Sequence, residues 1–331
     1  MHELAWIPGD GIGPEVVAAA RRVIDATGIE ARWTELAAGM SAMEALGNPL
    51  PEATLAGIRR ADATLKGPTA TAKGSGFRSV NVALRQQLCL YANYRPARSL
   101  PGIETRFRDV DLIVIRENTE GLYSGLEHEV VPGVIESLRI VTRKASERIA
   151  RFAFETARRQ QRRRVTCVHK ANILKLSDGL FLTCCREVAQ EFPEIEFDDW
   201  IVDAAAMKLV SDPHAFDVLV MENLFGDILS DLCSGLVGGL GVTPSANVGD
   251  SMAVFEAVHG TAPDIAGRGL ANPTALILSG VLMLRMLGER EAANRVEEGV
   301  RTVLAEGRRL TGDLGGSAST QEFADAVIAA L

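Results

Sequence analysis

Residues 217–241 read DVLVMENLFGDILSDLCSGLVGGLG. DVLVM is short, β-branched and apolar at successive positions, the pattern of a strand covered on both faces. Polar Glu222 and Asn223 end that run, and the residues that follow have apolar side chains at helical spacing. A doubly covered strand feeding a helix is the building unit of an α/β fold. The helix carries Asp227 and Asp231, four residues apart, so both carboxylates leave it on the same side. Like charges so placed repel by about 0.2–0.5 kcal/mol on an exposed helix. Ile228, Leu229 and Leu232 predict partial burial, which raises that cost. A hard divalent cation, Mg2+ or Mn2+, would relieve it. Taken alone, the pair is explained as simply by a solvated acidic face; if it holds a cation, Asp227→Asn should abolish activity while leaving the fold intact, since it removes a like-charge repulsion.

Outward from this stretch the same alternation recurs. Residues 3–8 (ELAWIP), 61–66, 111–115 (DLIVI), 165–169 (VTCVH) and 195–202 (IEFDDWIV) read as strands, with helical stretches between them. The clearest helix spans 143–164, with Ile149, Phe152 and Ala153 along one stripe. The expected fold is α/β with a largely parallel sheet. Its strands end in Arg116 and Glu117, in Lys170, in Asp203, and in Glu222 and Asn223. Ligands bind at the carboxyl ends of strands in such sheets, so these endings point to one shared site.

Residues 121–142, GLYSGLEHEVVPGVIESLRIVT, break the rhythm with period-two runs around Pro and Gly. They predict an antiparallel hairpin, an arm suited to oligomerisation. GDGIGPE (9–15) has GxGxG spacing and not the dinucleotide GxGxxG. After residue 241 a Gly-, Pro- and Asn-rich run predicts loop with one short strand, AVFEAV (253–258), then helices at 274–287, 292–305 and 320–330.

The 331 residues, 47% hydrophobic, can bury one large core or two ordinary ones. A net charge of −8 argues against a surface built for nucleic acid or for an anionic membrane. The basic run RRQQRRR (158–164) has no interleaved aromatics and reads as cations complementing a helix C-terminus. The apolar run 275–284 falls short of the roughly 20 residues that span a bilayer. Cys89, Cys167, Cys184, Cys185 and Cys233, odd in number and without CxxC spacing, read as buried thiols in a reducing compartment. With the first strand starting almost at Met1, a bacterial or archaeal cytoplasm is expected. Arg85, Arg95 and Arg116 lie on three separate elements, and each singly suits a surface ion pair. Together, their planar forks suit a substrate with several carboxylates, and beside the aspartates they would hold its metal chelate.

Six motifs, IPGDGIGPE (7–15), RENTEGLYSG (116–125), VHKANILKLSDGLF (168–181), NLFGDILSDL (223–232), GGLGVTPSANVG (238–249) and HGTAPDIAG (259–267) with Asn272-Pro273, are spread along most of the chain. In identity and order they resemble the metal-dependent decarboxylating dehydrogenases of β-substituted malates, the isocitrate and isopropylmalate dehydrogenase family. The resemblance implies an isopropylmalate dehydrogenase-like fold: two α/β domains sharing a twisted mixed, largely parallel sheet, with a projecting β arm. Residues 1–90 and 238–331 would form the cofactor domain. Residues 91–237 would form the second, with the arm at 121–142, the dimer interface and the metal and catalytic residues.

The same resemblance implies roles. Asp227 and Asp231 match metal ligands, with Asp203 as a third supplied by the neighbouring subunit. Tyr123 and Lys170 match the catalytic pair, the lysine also acting across the interface with Asp203, so a homodimer is the minimum. His259, Gly260, Thr261, Ala262, Asp264, Ile265 and Asn272, with Ile12 and Thr71, match cofactor contacts. NADP-using members carry lysine and tyrosine where this chain has Asp264 and Ile265. A carboxylate accepts from a ribose 2′-hydroxyl and repels a 2′-phosphate, so NAD is expected. Ser79 and Asn81, with Arg85, Arg95 and Arg116, resemble the isocitrate pattern. Ala72 and Lys73 depart from it and keep homoisocitrate open, and less so tartrate or isopropylmalate. A regulatory subunit of a hetero-oligomer would lose part of the catalytic set, which this chain keeps.

Overall fold

The computed structural model describes residues 1–71 and 79–331, so Ala72 and Lys73 lie outside the described residues. The chain forms two compact units. Unit 1 is Met1–Leu90, Arg98–Arg108 and Val237–Leu331, and unit 2 is Tyr91–Ala97 and Asp109–Leu236.

Unit 1 begins with β1 (His2–Ile7), α1 (Gly13–Asp25), β2 (Ala31–Glu35), α2 (Met40–Leu46), α3 (Glu52–Arg60), β3 (Ala63–Lys66) and α4 (Val80–Gln87). Next come β4 (Ala92–Arg98), β5 (Asp111–Glu117), β6 (Gly121–Val131), β7 (Val134–Ile140), α5 (Arg143–Arg159), β8 (Arg164–His169), α6 (Ser177–Ala189), β9 (Glu196–Ile201), α7 (Val202–Ser211), β10 (Val218–Met221) and α8 (Asn223–Leu236). The chain closes unit 1 with β11 (Pro244–Val248), β12 (Ala253–Ala257), α9 (Thr274–Met286), α10 (Arg290–Glu306) and α11 (Thr320–Ala329).

In unit 1 the strand order is β2-β1-β3-β12-β11, parallel except for the antiparallel β11–β12 pair. One core cluster packs Ala5 and Ile7 of β1 and Val254 of β12 with Leu55 and Ile58 of α3 and Val80 and Leu84 of α4, and Leu4, Leu65, Phe255 and, on α1, Val16, Val23 and Ile24 are buried as well. The apolar run 275–284 is α9, hydrophobic all round because it is buried along most of its length. Among the described residues no helix is long and apolar enough to cross a membrane.

In unit 2 the order is β4-β5-β10-β8-β9, with β10 parallel to β5 and β8, and β8 parallel to β9. β10 is wholly buried, which explains its unbroken apolar reading. Met221 pairs with both Arg116 and Val168, so β5, β8 and β10 end level and bring their polar endings to one edge. α5 buries Ile149, Ala153, Phe154 and Ala157, and Phe154 stacks on Phe192 at 5.3 Å. The α/β class and its largely parallel strands are as the alternation implied.

Several local readings change. Helix 143–164 stops at Arg159, because Gln161 takes a left-handed φ of +55° and Arg162 turns back to donate to Asp111 (2.5 Å) and Asp217 (2.9 Å). Only Arg158 and Arg159 therefore serve the helix end, and Arg164 opens β8. The long loop after residue 241 holds two strands, not one. PSANV has little strand propensity of its own, but Ser245, Ala246 and Asn247 are buried, and pairing with β12 decides the conformation. Arg95 sits on β4, a strand disguised by Pro96. Cys89 is exposed, contrary to expectation, whereas the other four thiols are buried, with that of Cys233 pushed up to about 12 by burial. β6 and β7 form the expected hairpin, and Leu126, Val130, Val131, Val134, Ile135 and Leu138 on it are exposed.

Candidate active site

On α8 the two aspartates do not form a free acidic face. Arg116 and the Tyr123 hydroxyl both donate to Asp227, the tyrosine at 2.5 Å. Arg95 donates to Asp231 at 2.9 Å and to Ser230 at 2.6 Å. Asp227 is 38% exposed and Asp231 50%, while the Arg116 side chain is 1% exposed. Arg116 also donates from Nε (2.9 Å) and Nη2 (2.7 Å) to Asn223 Oδ1, and its guanidinium lies 4.9 Å from the Tyr123 ring centre. Burial raises the Asp231 carboxyl and the charge of Asp227 adds to this, against the opposing pull of Arg95. Ile228, expected to be buried, is exposed.

Gly226 explains how close α8 can come. A Cβ there would stand 2.4 Å from Arg116 Cγ, so only glycine lets the helix pack on the arginine stem. Gly226→Ala is expected to displace Arg116 and lower stability by about 1–3 kcal/mol, the usual cost of overpacking. Urea unfolding measures this, and an unchanged midpoint would show that the stem yields freely.

Lys170 and Asp203 meet through strand register. His169 of β8 pairs with Ile201 of β9, which sets Lys170 one residue past its strand and Asp203 in the first turn of α7. Lys170 Nζ donates to Asp203, and that bond is the main cause holding the Asp203 carboxyl below its usual value. The Lys170 backbone N–H donates to Asp178 Oδ2 at 2.6 Å. Asp203 is 69% exposed. Near it in sequence or on neighbouring elements, Ile173, Leu176, Met207 and Val210 are exposed too.

Asp227 and Asp231 offer two hard oxygens one helical turn apart, with burial and mutual charge disfavouring their joint ionisation, which fits a divalent cation. Asp203 does not join them: among the described residues the group of three ligand atoms within 4.8 Å is Glu147, Cys184 and Glu187. Arg143 already bridges its two glutamates, at 2.9 and 2.5 Å.

In unit 1 Ser79 Oγ accepts from Thr71 (3.3 Å) and Asn81 Oδ1 from Thr69 (3.0 Å). Arg85 pairs with Glu256 at 3.3 Å, and Glu256 also accepts from Lys66 and Asn247, each at 2.7 Å. Burial would raise this carboxyl, but Lys66, Arg85 and Asn247 hold it well below the usual range. Sequence reading missed Lys66 and Glu256, although a glutamate inside apolar AVFEAV was a signal.

Two of the cofactor candidates, Ile12 and Thr261, meet in unit 1. Ile12, preceding α1, donates its N–H to Thr261 O at 2.9 Å. Gly11, at φ +59°, is required there, since a Cβ would stand 2.0 Å from that oxygen. Ala262 holds a left-handed φ of +37°, a conformation that costs about 1–2 kcal/mol. His259 Nδ1 lies 3.1 Å from Gly260 O, its Nε2 is a buried atom with no hydrogen-bond partner, and burial lowers its pKa. Asp264 is exposed, Ile265 half-buried, and Asn272 donates to Asp313 at 3.0 Å.

The family model described as isocitrate/isopropylmalate dehydrogenase matches residues 3–327. The chain belongs to this family. Among its relatives in the isocitrate/isopropylmalate dehydrogenase family is the mitochondrial isocitrate dehydrogenase [NAD] catalytic subunit 5 of Arabidopsis thaliana, 54% identical over 97% of this chain and 86% of that protein. The chloroplastic 3-isopropylmalate dehydrogenase of Solanum tuberosum is 53% identical over 91% of this chain and 85% of that protein. The crystal structure of isocitrate dehydrogenase from Methylococcus capsulatus is 55% identical, with a TM-score of 0.97, covering 100% of this chain and 99% of that one. The expectation of a prokaryotic cytoplasm is overturned here. The two plant relatives are organellar proteins, one mitochondrial and one chloroplastic, and buried thiols report only a reducing environment, which is not one address.

Proposed function

We propose that this chain is an NAD-dependent isocitrate dehydrogenase, converting isocitrate to 2-oxoglutarate and CO2 with reduction of NAD and with a divalent metal, Mg2+ or Mn2+. The observation that carries this reading is the unit 2 network in which two arginine forks and a tyrosine hydroxyl converge on a pair of carboxylates one turn apart. Such an arrangement matches a metal chelate of a polycarboxylate.

Asp227 and Asp231 would hold the metal, with Asp203 of a second copy. When bound, it supplies Lewis acidity that favours electron flow toward the C2 oxygen. Arg95 and Arg116, freed from the aspartates, hold substrate carboxylates, as does Arg85, fixed by Glu256. Ser79 and Asn81 bond the remaining carboxylate. Hydride leaves C2 for the nicotinamide while Lys170, paired with ionised Asp203, takes the hydroxyl proton. The C3–carboxylate bond then breaks, CO2 departs, and its electron pair remains in the enolate. Tyr123 delivers a proton to C3, and its contact with Asp227 fixes where that proton starts.

The assembly is at least a homodimer, with Lys170 and Asp203 serving the partner's site. Support comes from the apolar side chains left exposed on the arm, the Lys170 loop, α7 and α8, which water disfavours as a group. The full set Tyr123, Lys170, Asp203, Asp227 and Asp231 argues for a catalytic rather than a regulatory chain. Residues 1–90 and 238–331 carry the cofactor contacts.

Isocitrate, homoisocitrate, isopropylmalate and tartrate, each with NAD or NADP and with Mn2+ or a chelator, test the reading on one plate. NAD reduction should be fastest with isocitrate and vanish with chelator; preference for another acid refutes the substrate, and chelator-resistant turnover refutes the metal. Homoisocitrate is the substrate to compare most closely, because Lys73 adds a cation just ahead of Ser79. Asp264 leads to a separate expectation: kcat/KM for NAD should exceed that for NADP by at least about 100-fold. Equal or better use of NADP would refute the role given to this carboxylate.

A further inference from the structure

Arg139 near the end of β7 lies outside every role assigned above, yet it meets two buried acids at once. Its Nη1 is 2.7 Å from Asp178 Oδ1 and its Nη2 3.3 Å from Glu222 Oε1, while the guanidinium stands 5.1 Å from the Phe225 ring centre. Its side chain is 14% exposed, and those of Asp178 and Glu222 are 1% and 6%. The contacts are close ion pairs without the alignment of hydrogen bonds, so charge and ring stacking set them.

Each acid is held at a helix N-terminus, where backbone N–H groups favour negative charge. Asp178 lies in the first turn of α6 and accepts the Lys170 backbone N–H at 2.6 Å. Glu222 immediately precedes α8 and accepts the N–H groups of Leu224 (3.2 Å) and Phe225 (2.9 Å). One carboxylate thus fixes the backbone of the proposed catalytic lysine, and the other fixes the start of the helix that carries Asp227 and Asp231. Two buried like charges drive these segments apart unless a cation sits between them, because an unpaired buried charge is heavily penalised.

We propose that Arg139 is a positioning residue that locks the Lys170 loop to the first turn of α8. This rests on the isocitrate dehydrogenase reading. If Lys170 serves the partner's site while Asp227 and Asp231 serve their own, the lock joins parts of two active sites. It also makes the arm that supplies Arg139 part of their geometry.

The experiment compares Arg139→Met and Arg139→Lys with wild type as full-length purified assemblies, using isocitrate, NAD and Mn2+. Arg139→Met should lower kcat by about 10- to 100-fold, the scale of loss for reacting groups misplaced by an ångström, with KM for NAD within about twofold. Arg139→Lys, which keeps the cation, should recover most of that loss. Hydrogen exchange should accelerate at the amides of Lys170, Leu224 and Phe225 while β5, β8 and β10 stay protected. The proposal is overturned by a kcat for Arg139→Met within about twofold of wild type. It is equally overturned by exchange that rises uniformly with the loss of folded dimer, or by a lysine variant as impaired as the methionine one. A wild type inactive on isocitrate would refute the functional reading instead, and the exchange data would still decide the lock.

Discussion

Asp227→Asn removes isocitrate oxidation, with kcat/KM down by about 1,000-fold or more, because Lewis-acid stabilisation is worth several kcal/mol. An amide keeps the size and one acceptor oxygen but not the charge that a hard cation requires. Its effect on stability differs from the expectation drawn from two repelling aspartates. Asp227 accepts from Arg116, whose side chain is 1% exposed, and from Tyr123, so the substitution weakens the partner of a buried cation. Relief of the repulsion with Asp231 offsets part of this, and Asn223 still accepts from Arg116 Nε and Nη2. A net loss of about 1–2 kcal/mol follows from the usual worth of hydrogen bonds to charged groups. Steady-state kinetics, calorimetric titration with Mn2+ and urea unfolding read the three effects separately. Near-normal turnover would sink the central reading of α8.

Lys170→Met lowers kcat by about 100- to 10,000-fold, the range of general acid–base catalysis, with KM for isocitrate changing much less. Asp203 loses the hydrogen bond that holds its carboxyl low, so its pKa moves back up toward the ordinary value. Mixing the variants tests where the lysine acts. In a hybrid of a Lys170→Met chain with an Asp227→Asn chain, one site receives an intact lysine from one copy and an intact aspartate from the other. Unfolding and refolding an equal mixture should restore about a quarter of wild-type activity, since half the dimers are hybrids with one complete site each. If lysine and aspartate of the same chain worked together, every site in the hybrid would be defective and the mixture would stay inactive.

Local pattern carried much of the architecture. Period-two and helical spacings placed most strands and helices, because each depends on residues within one or two turns of each other. It failed where packing outweighed propensity. PSANV becomes β11 through burial against its neighbours, and the helix of 143–164 ends early because Arg162 finds Asp111 and Asp217. Residue roles followed from the motifs, whereas their present partners did not. Arg95 on Asp231 and Glu256 on Arg85 join positions 136 and 171 residues apart.

The amino-acid sequence by itself determined the α/β alternation, the hairpin arm, the turn-spaced aspartates and the family, since all are written in short-range spacing and in contiguous motifs. Only the tertiary structure decided which charges face one another. The register of β8 on β9 sets Lys170 beside Asp203, and that of β5 on β10 lays Arg116 along α8. A parallel sheet draws together residues whose separation along the chain is arbitrary. The same is true of Arg139 between Asp178 and Glu222, a contact that depends on three elements folding to one place and leaves no periodic trace in any of them.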